Sequence, residues 1–97
     1  MFIVLLRFSA NRSRAGALME AHKDWLQRGF ADGVFALAGS LLPGIGGGIV
    51  AHGLSRAELE TRVAEDPFVA GDVVQAEILE LAPSKTDTRL DFLRGPA

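Results

Sequence analysis

Turn-forming residues cut this chain into six short segments whose apolar periods alternate between the two-residue step of a strand and the three- to four-residue step of a helix, and this punctuation narrows the possible folds more than anything else in the sequence. Asp32-Gly33, Pro43-Gly44, Gly53 and Pro83 break the pattern. Asp66-Pro67 also breaks it, because a proline ring disfavours the helical conformation in the residue before it. Phe2 to Phe8 is an apolar run too short for a stable helix and rich in β-formers, which predicts a first strand. Phe2, Val4, Leu6 and Phe8 share one of its faces, and Ile3, Leu5 and Arg7 the other.

Asn11-Arg12-Ser13 offers cap residues for a helix of roughly five turns. Its apolar stripe is Ala15, Leu18, Met19, His22, Leu26, Gly29 and Phe30, with Trp25 at the edge and charged residues on the remaining circumference. A second strand is expected over Val34 to Leu42 and a third over Ile45 to His52. Three consecutive glycines, Gly46-Gly47-Gly48, lie in the third and suggest close approach of another backbone or a ligand. Ser55-Arg56-Ala57-Glu58 is a capping box, flanked by Leu54 and Leu59 as a hydrophobic staple, so a second helix starts at Arg56 and stops by Asp66. Asp72 to Leu81 is the fourth strand.

The order βαββαβ predicts an α+β, ferredoxin-like fold: a four-stranded antiparallel sheet with two helices on one face. The other face is then open. In the fourth strand Val74, Ala76 and Ile78 share one side, while Val73, Gln75, Glu77, Leu79 and Leu81 share the other. A mixed face of this kind suits a subunit interface enclosing a partly polar cavity. Residues 1–83 are read as the folded domain and 84–97 as a polar tail. Its Leu90-Asp91-Phe92-Leu93 knot is expected to dock on the body or on a partner, since such side chains are costly to leave in water.

Composition removes several classes of function. The chain of 97 residues has no cysteine, so thiol nucleophiles, disulfides and iron–sulfur clusters are excluded. Its net charge of −2 argues against a nucleic-acid binder, which would carry a basic excess. No apolar run approaches the ~20 residues that span a bilayer. Met1 to Leu6 lacks the charged start of a secretion signal, so a cytoplasmic protein with no membrane contact is expected.

The sequence resembles the YCII-related (YciI-like) family of the dimeric α+β barrel superfamily, from Met1 to about Pro83. The carriers are His22 followed by Trp25-Leu26, then Ala38-Gly39, the glycine-rich third strand, and Ala64-Glu65-Asp66-Pro67-Phe68-Val69-Ala70-Gly71. Met19 stands where relatives often have arginine, and Ser40 where they often have proline, so a different substrate preference is expected. The resemblance implies a homodimer whose open sheet faces pack together into a barrel. It also implies a His–Asp pair, His22 with Asp66, and kinship with chlorinated-hydroquinone dehydrochlorinases. The wider superfamily adds muconolactone isomerases, cofactor-free monooxygenases and haem enzymes.

The residues themselves suit proton transfer. An imidazole in an apolar stripe tends to the neutral form able to accept a proton, and a carboxylate on one ring nitrogen fixes its tautomer. The alternative is a core histidine merely satisfied by Asp66. Arg7 is expected to pair with Glu77 or to line a pocket mouth, Ser40 to offer a hydroxyl to a ligand or to stand on a strand surface, and Trp25 and Met19 to form core and the apolar wall near His22. His52 reads as a strand-end histidine; neither a metal motif nor a phosphate loop is present. The expectation is an enzyme without metal or cofactor, a lyase, dehydrochlorinase or isomerase acting on a small oxygenated cyclic metabolite. The alternative is a non-catalytic dimeric module that binds a small ligand or an accessory partner.

Overall fold

The computed structural model describes residues 1–94. Strand β1 (Phe2–Phe8) leads into a single 3-10 turn at Arg12–Arg14, then helix α1 (Ala15–Ala31), strands β2 (Phe35–Leu41) and β3 (Gly46–Ala51), and helix α2 (Arg56–Ala64). A third, short helix α3 (Pro67–Ala70) precedes strand β4 (Val74–Glu80), and a 3-10 segment covers Thr88–Arg94. The strands form one antiparallel sheet in the order β2-β3-β1-β4. With helices packed on one face, this is the ferredoxin-like α+β arrangement.

The core follows from the two-residue period of β1. Phe2, Val4 and Leu6 are buried and meet Trp25 of α1, Leu59 and Val63 of α2, and Phe35, Ile49 and Ala51 of the neighbouring strands. Burying a large apolar side chain stabilises by roughly 1.5–3 kcal/mol, so this layer dominates the stability of the fold. The opposite face keeps an apolar row. Leu37, Val50, Ile3 and Leu79 lie side by side across all four strands in register, and Leu37 is 62% exposed.

Three local expectations give way to geometry. Asn11 does not cap α1: its side chain instead donates to the Asp72 carbonyl at 3.2 Å, and the 3-10 turn starts the helix without a side-chain cap. Val73 does not share the open face with Gln75. Asp72 turns through the left-handed region at φ 57°, Val73 donates its amide to Phe68, and its side chain is fully buried. Strand β4 therefore begins two residues later than expected, at Val74, and ends at Glu80. The stop at Pro67 is real, but it also starts α3, since a proline is well suited to the first position of a helix.

The capping box forms as expected: the Ser55 hydroxyl accepts from the Glu58 amide and the Glu58 carboxylate accepts from the Ser55 amide. Of the glycine run, Gly46 has the clearest need. It adopts φ 149°, and a Cβ there would come within 1.9 Å of the Leu6 carbonyl oxygen. In the tail, Phe92 meets His52 edge-on at 5.0 Å, yet Leu90 and Phe92 stay about half exposed. Its last residues, 95–97, lie outside the described residues.

Candidate functional site

The site starts from how α1 and α2 are locked together. Trp25 is buried, and its indole Nε1 donates to the Arg62 carbonyl of α2 at 3.0 Å. The two helices are thus tied side by side, and His22, one turn before Trp25, faces the point where α2 ends. There Asp66 is held extended at φ −61°, ψ 123°, and caps α3 by accepting from the Phe68 amide at 3.0 Å. The same oxygen, Oδ1, lies 2.8 Å from Nδ1 of His22.

Burial makes this pair unusual for the molecule. Asp66 is wholly inaccessible, whereas the His22 side chain keeps 13% of its surface. With Nδ1 donating to the carboxylate, Nε2 is the nitrogen left to accept a proton. The Phe68 ring lies flat on the imidazole, 4.1 Å between centroids and 4° from parallel, so the ring has little freedom to rotate. Asp66 Oδ2 has no hydrogen-bond partner among the described residues. The carboxylate thus rests on two donors, both at Oδ1.

A cavity of about 330 Å³ adjoins His22 between α1 and the sheet. Met19, Lys23 and Leu26 wall it from the helix; Phe8, Ala38 and Ser40 are among its sheet residues. The volume lies at the small end of the ~300–1,000 Å³ usual for ligand pockets, enough for a single ring. A larger cavity of about 620 Å³ lies elsewhere, where the tail arches over Leu37, Val50 and Leu81 on the open face. It contains no histidine.

The structure brings His22, Asp66 and Ser40 to one place and leaves two other sequence candidates outside it. Arg7 lies on the open face, 2.7 Å from Glu77, with both side chains about half exposed. Trp25 stands behind His22, 5.9 Å between ring centroids, in the core and not in the cavity wall. Met19 does line the cavity. Sequence reasoning passed over Phe68 as a ring support and Lys23 as a wall residue. The Asp66-Pro67 pair could have located Phe68, because a capping aspartate followed by proline places the next residue in the first turn of a helix. Lys23 carried no such signal; it read as part of the polar face. His52 follows directly after β3, and among the described residues no three His, Asp or Glu side chains converge to hold a metal ion.

The YCII-related domain family matches residues 1–82, nearly the whole described chain. The protein belongs to this family. No curated protein matches its sequence significantly. Among solved structures, this YCII-related domain is similar to 5-chloro-2-hydroxyhydroquinone dehydrochlorinase from Burkholderia phenoliruptrix, determined in complex with 2,5-dihydroxybenzoquinone. The TM-score is 0.69 at 16% identity, over 84% of this chain and 93% of the other. At that identity the likeness is one of fold. No helix among the described residues is long and apolar enough to cross a membrane.

Proposed function

We propose that this YCII-related domain is a cofactor-independent proton-transfer enzyme acting on a small oxygenated cyclic metabolite, as a lyase of the dehydrochlorinase type or as an isomerase. The observation that carries the reading is the His22–Asp66 contact at 2.8 Å beside a cavity of one-ring size. His22 takes a proton from a C–H or O–H of the substrate at Nε2, and the bonding electron pair stays on the substrate. In an elimination those electrons form the new double bond as chloride departs with its own pair. In an isomerisation the proton returns at another carbon. Asp66 offsets the positive charge that the imidazole gains, without itself being protonated. The fold likeness to a dehydrochlorinase solved in complex with 2,5-dihydroxybenzoquinone supports this substrate class.

The domain works in this reading as a homodimer, its open faces packed through the row of Leu37, Val50, Ile3 and Leu79, in the cytoplasm. Residues 1–83 are the catalytic body and 84–97 an appendage to it. The competing reading, a small-ligand module without turnover, is favoured only by the restricted exposure of His22. The test is a screen of the purified protein against chlorinated hydroxyhydroquinones, lactones and hydroxyquinones, following chloride release and absorbance, with His22→Asn in parallel. General-base catalysis contributes about 10²–10⁴ in rate, so His22→Asn should lose at least a hundredfold. Full turnover by His22→Asn, or binding without turnover by the wild type, overturns the proposal.

A further inference from the structure

The charges around the His22 cavity are one-sided. Among the described residues its walls carry a single fixed charge, the ammonium of Lys23, and no carboxylate. Asp66 is sealed behind His22 and spent on the imidazole and the Phe68 amide. This is a cationic spot in a chain whose net charge is −2. Lys23 is exposed and makes no ion pair or side-chain hydrogen bond among the described residues, although Glu20 lies three residues before it on the same helix, a spacing that permits one. The nearby Arg12, by contrast, is committed: its guanidinium sits 4.4 Å over the Phe8 ring and donates to the Gly44 carbonyl at 3.2 Å.

We propose that Lys23 is the oxyanion-binding residue of this cavity, and that the substrate is therefore a monocyclic compound bearing an acidic oxygen, a carboxylate or a phenolate. The inference rests on the reading of the cavity as the substrate site. It completes the charge balance of the proton transfer. As Nε2 of His22 gains its proton, the positive charge formed is met by Asp66. The electron pair left behind spreads onto a substrate oxygen, and its negative charge is met by Lys23. Without Lys23 the oxyanion would have, among the described wall residues, only apolar side chains and the Ser40 hydroxyl beside it, a poor match for separated charge even where solvent reaches the mouth.

Benzoate and benzamide share one ring and one shape and differ in charge, so their dissociation constants report the cation directly. Binding is followed by NMR titration of the full chain at low ionic strength, in wild type, Lys23→Met, Lys23→Arg and His22→Asn. Wild type should prefer benzoate by about two- to fivefold, the upper part of the range expected of an exposed ion pair. Lys23→Met should abolish the preference and Lys23→Arg retain it, while raised salt should shrink it in wild type. His22→Asn should keep the preference, so a failure of the base assignment is separable from a failure of this one. Equal affinity of wild type for the two probes, no detectable binding of benzoate, or a preference that survives in Lys23→Met overturns the assignment. Since Lys23 is exposed, matching thermal melts suffice to show that the variants fold.

Discussion

Replacing Asp66 by asparagine isolates what the buried carboxylate does for the fold. The change keeps the size and shape of the side chain. The amide oxygen can still occupy the Oδ1 position and accept from the Phe68 amide and from His22 Nδ1, at the present 3.0 Å and 2.8 Å. Both bonds then lose their charge assistance, about 1 kcal/mol each, because hydrogen bonds to charged groups contribute roughly 1.5–3 kcal/mol against 0.5–1.5 for neutral ones. The new NH₂ falls at the Oδ2 position, which has no partner and no exposure, and a buried unsatisfied donor costs about 1–3 kcal/mol. Against this stands the relief of no longer burying a charge, which in some proteins equals the whole gain of the pair. Two donors on one oxygen are good compensation, so the losses should win. The net cost is about 2–4 kcal/mol. For a domain of this size that lowers Tm by on the order of 10–25 °C. The assay is urea unfolding with thermal melts at a fixed protein concentration, because self-association would shift both. A loss below about 0.5 kcal/mol, or a gain, would refute the view that the two Oδ1 bonds outweigh the cost of burying the charge.

Other consequences follow from the packing. Gly29→Ala should destabilise by about 1–3 kcal/mol or more, because the new Cβ would lie 2.1 Å from Cδ2 of the Phe35 ring; Gly16→Ala, in the same helix with nothing within 4 Å, should be neutral or stabilise by up to about 1 kcal/mol, so thermal melts should show a lowered Tm for the first and an unchanged or raised one for the second. The Glu58 carboxylate is held below its ordinary 4.5, chiefly by the Ser55 amide and then by the Ser55 hydroxyl. Its contribution to stability is therefore complete above about pH 4.5 and is lost as pH falls below that value, and Glu58→Gln should flatten this part of the Tm–pH curve. Leu37→Asp places a charge at the β2 end of the open apolar row, on its most exposed side chain; sedimentation should show dimer in wild type and monomer in the variant, with the helical content of both unchanged.

How much of this was legible beforehand depends on the range of the interaction concerned. The strands and helices were readable because each rests on a local pattern: the alternation of β1, the stripe of α1, the Ser55–Glu58 box. The nearness of His22 to Asp66 was readable too, since the topology sets the two helices side by side and Pro67 marks where the second ends. What escaped were features decided by a distant partner. Asn11 looks like a cap until the Asp72 carbonyl, far along the chain, claims its side chain. Val73 looks like an open-face residue until the left-handed turn at Asp72 rotates it inward. Trp25 sits at helical spacing from His22, but its indole nitrogen is drawn to Arg62, which puts the ring behind the site. Lys23 appears as one more solvated charge until the cavity wall is known.

The placement of β1 has a consequence for how the molecule is made. This first strand lies inside the sheet, and one of its two sides pairs with β4, in a register running from Phe8 opposite Val74 to Phe2 opposite Glu80. Everything between must exist before that seam can close. On the ribosome, β1, α1 and the β2–β3 hairpin can assemble early, but the free side of β1 stays a bare, strongly apolar edge until nearly the whole domain has emerged. Folding should accordingly be slow for so small a helix-containing domain, because its decisive contacts join the two ends of the chain. A ribosome-stalled or truncated product ending before Asp72 would keep the His22 helix and lose the strand that shields β1. Such a fragment is an aggregation hazard, and the domain escapes it only once β4 is in place.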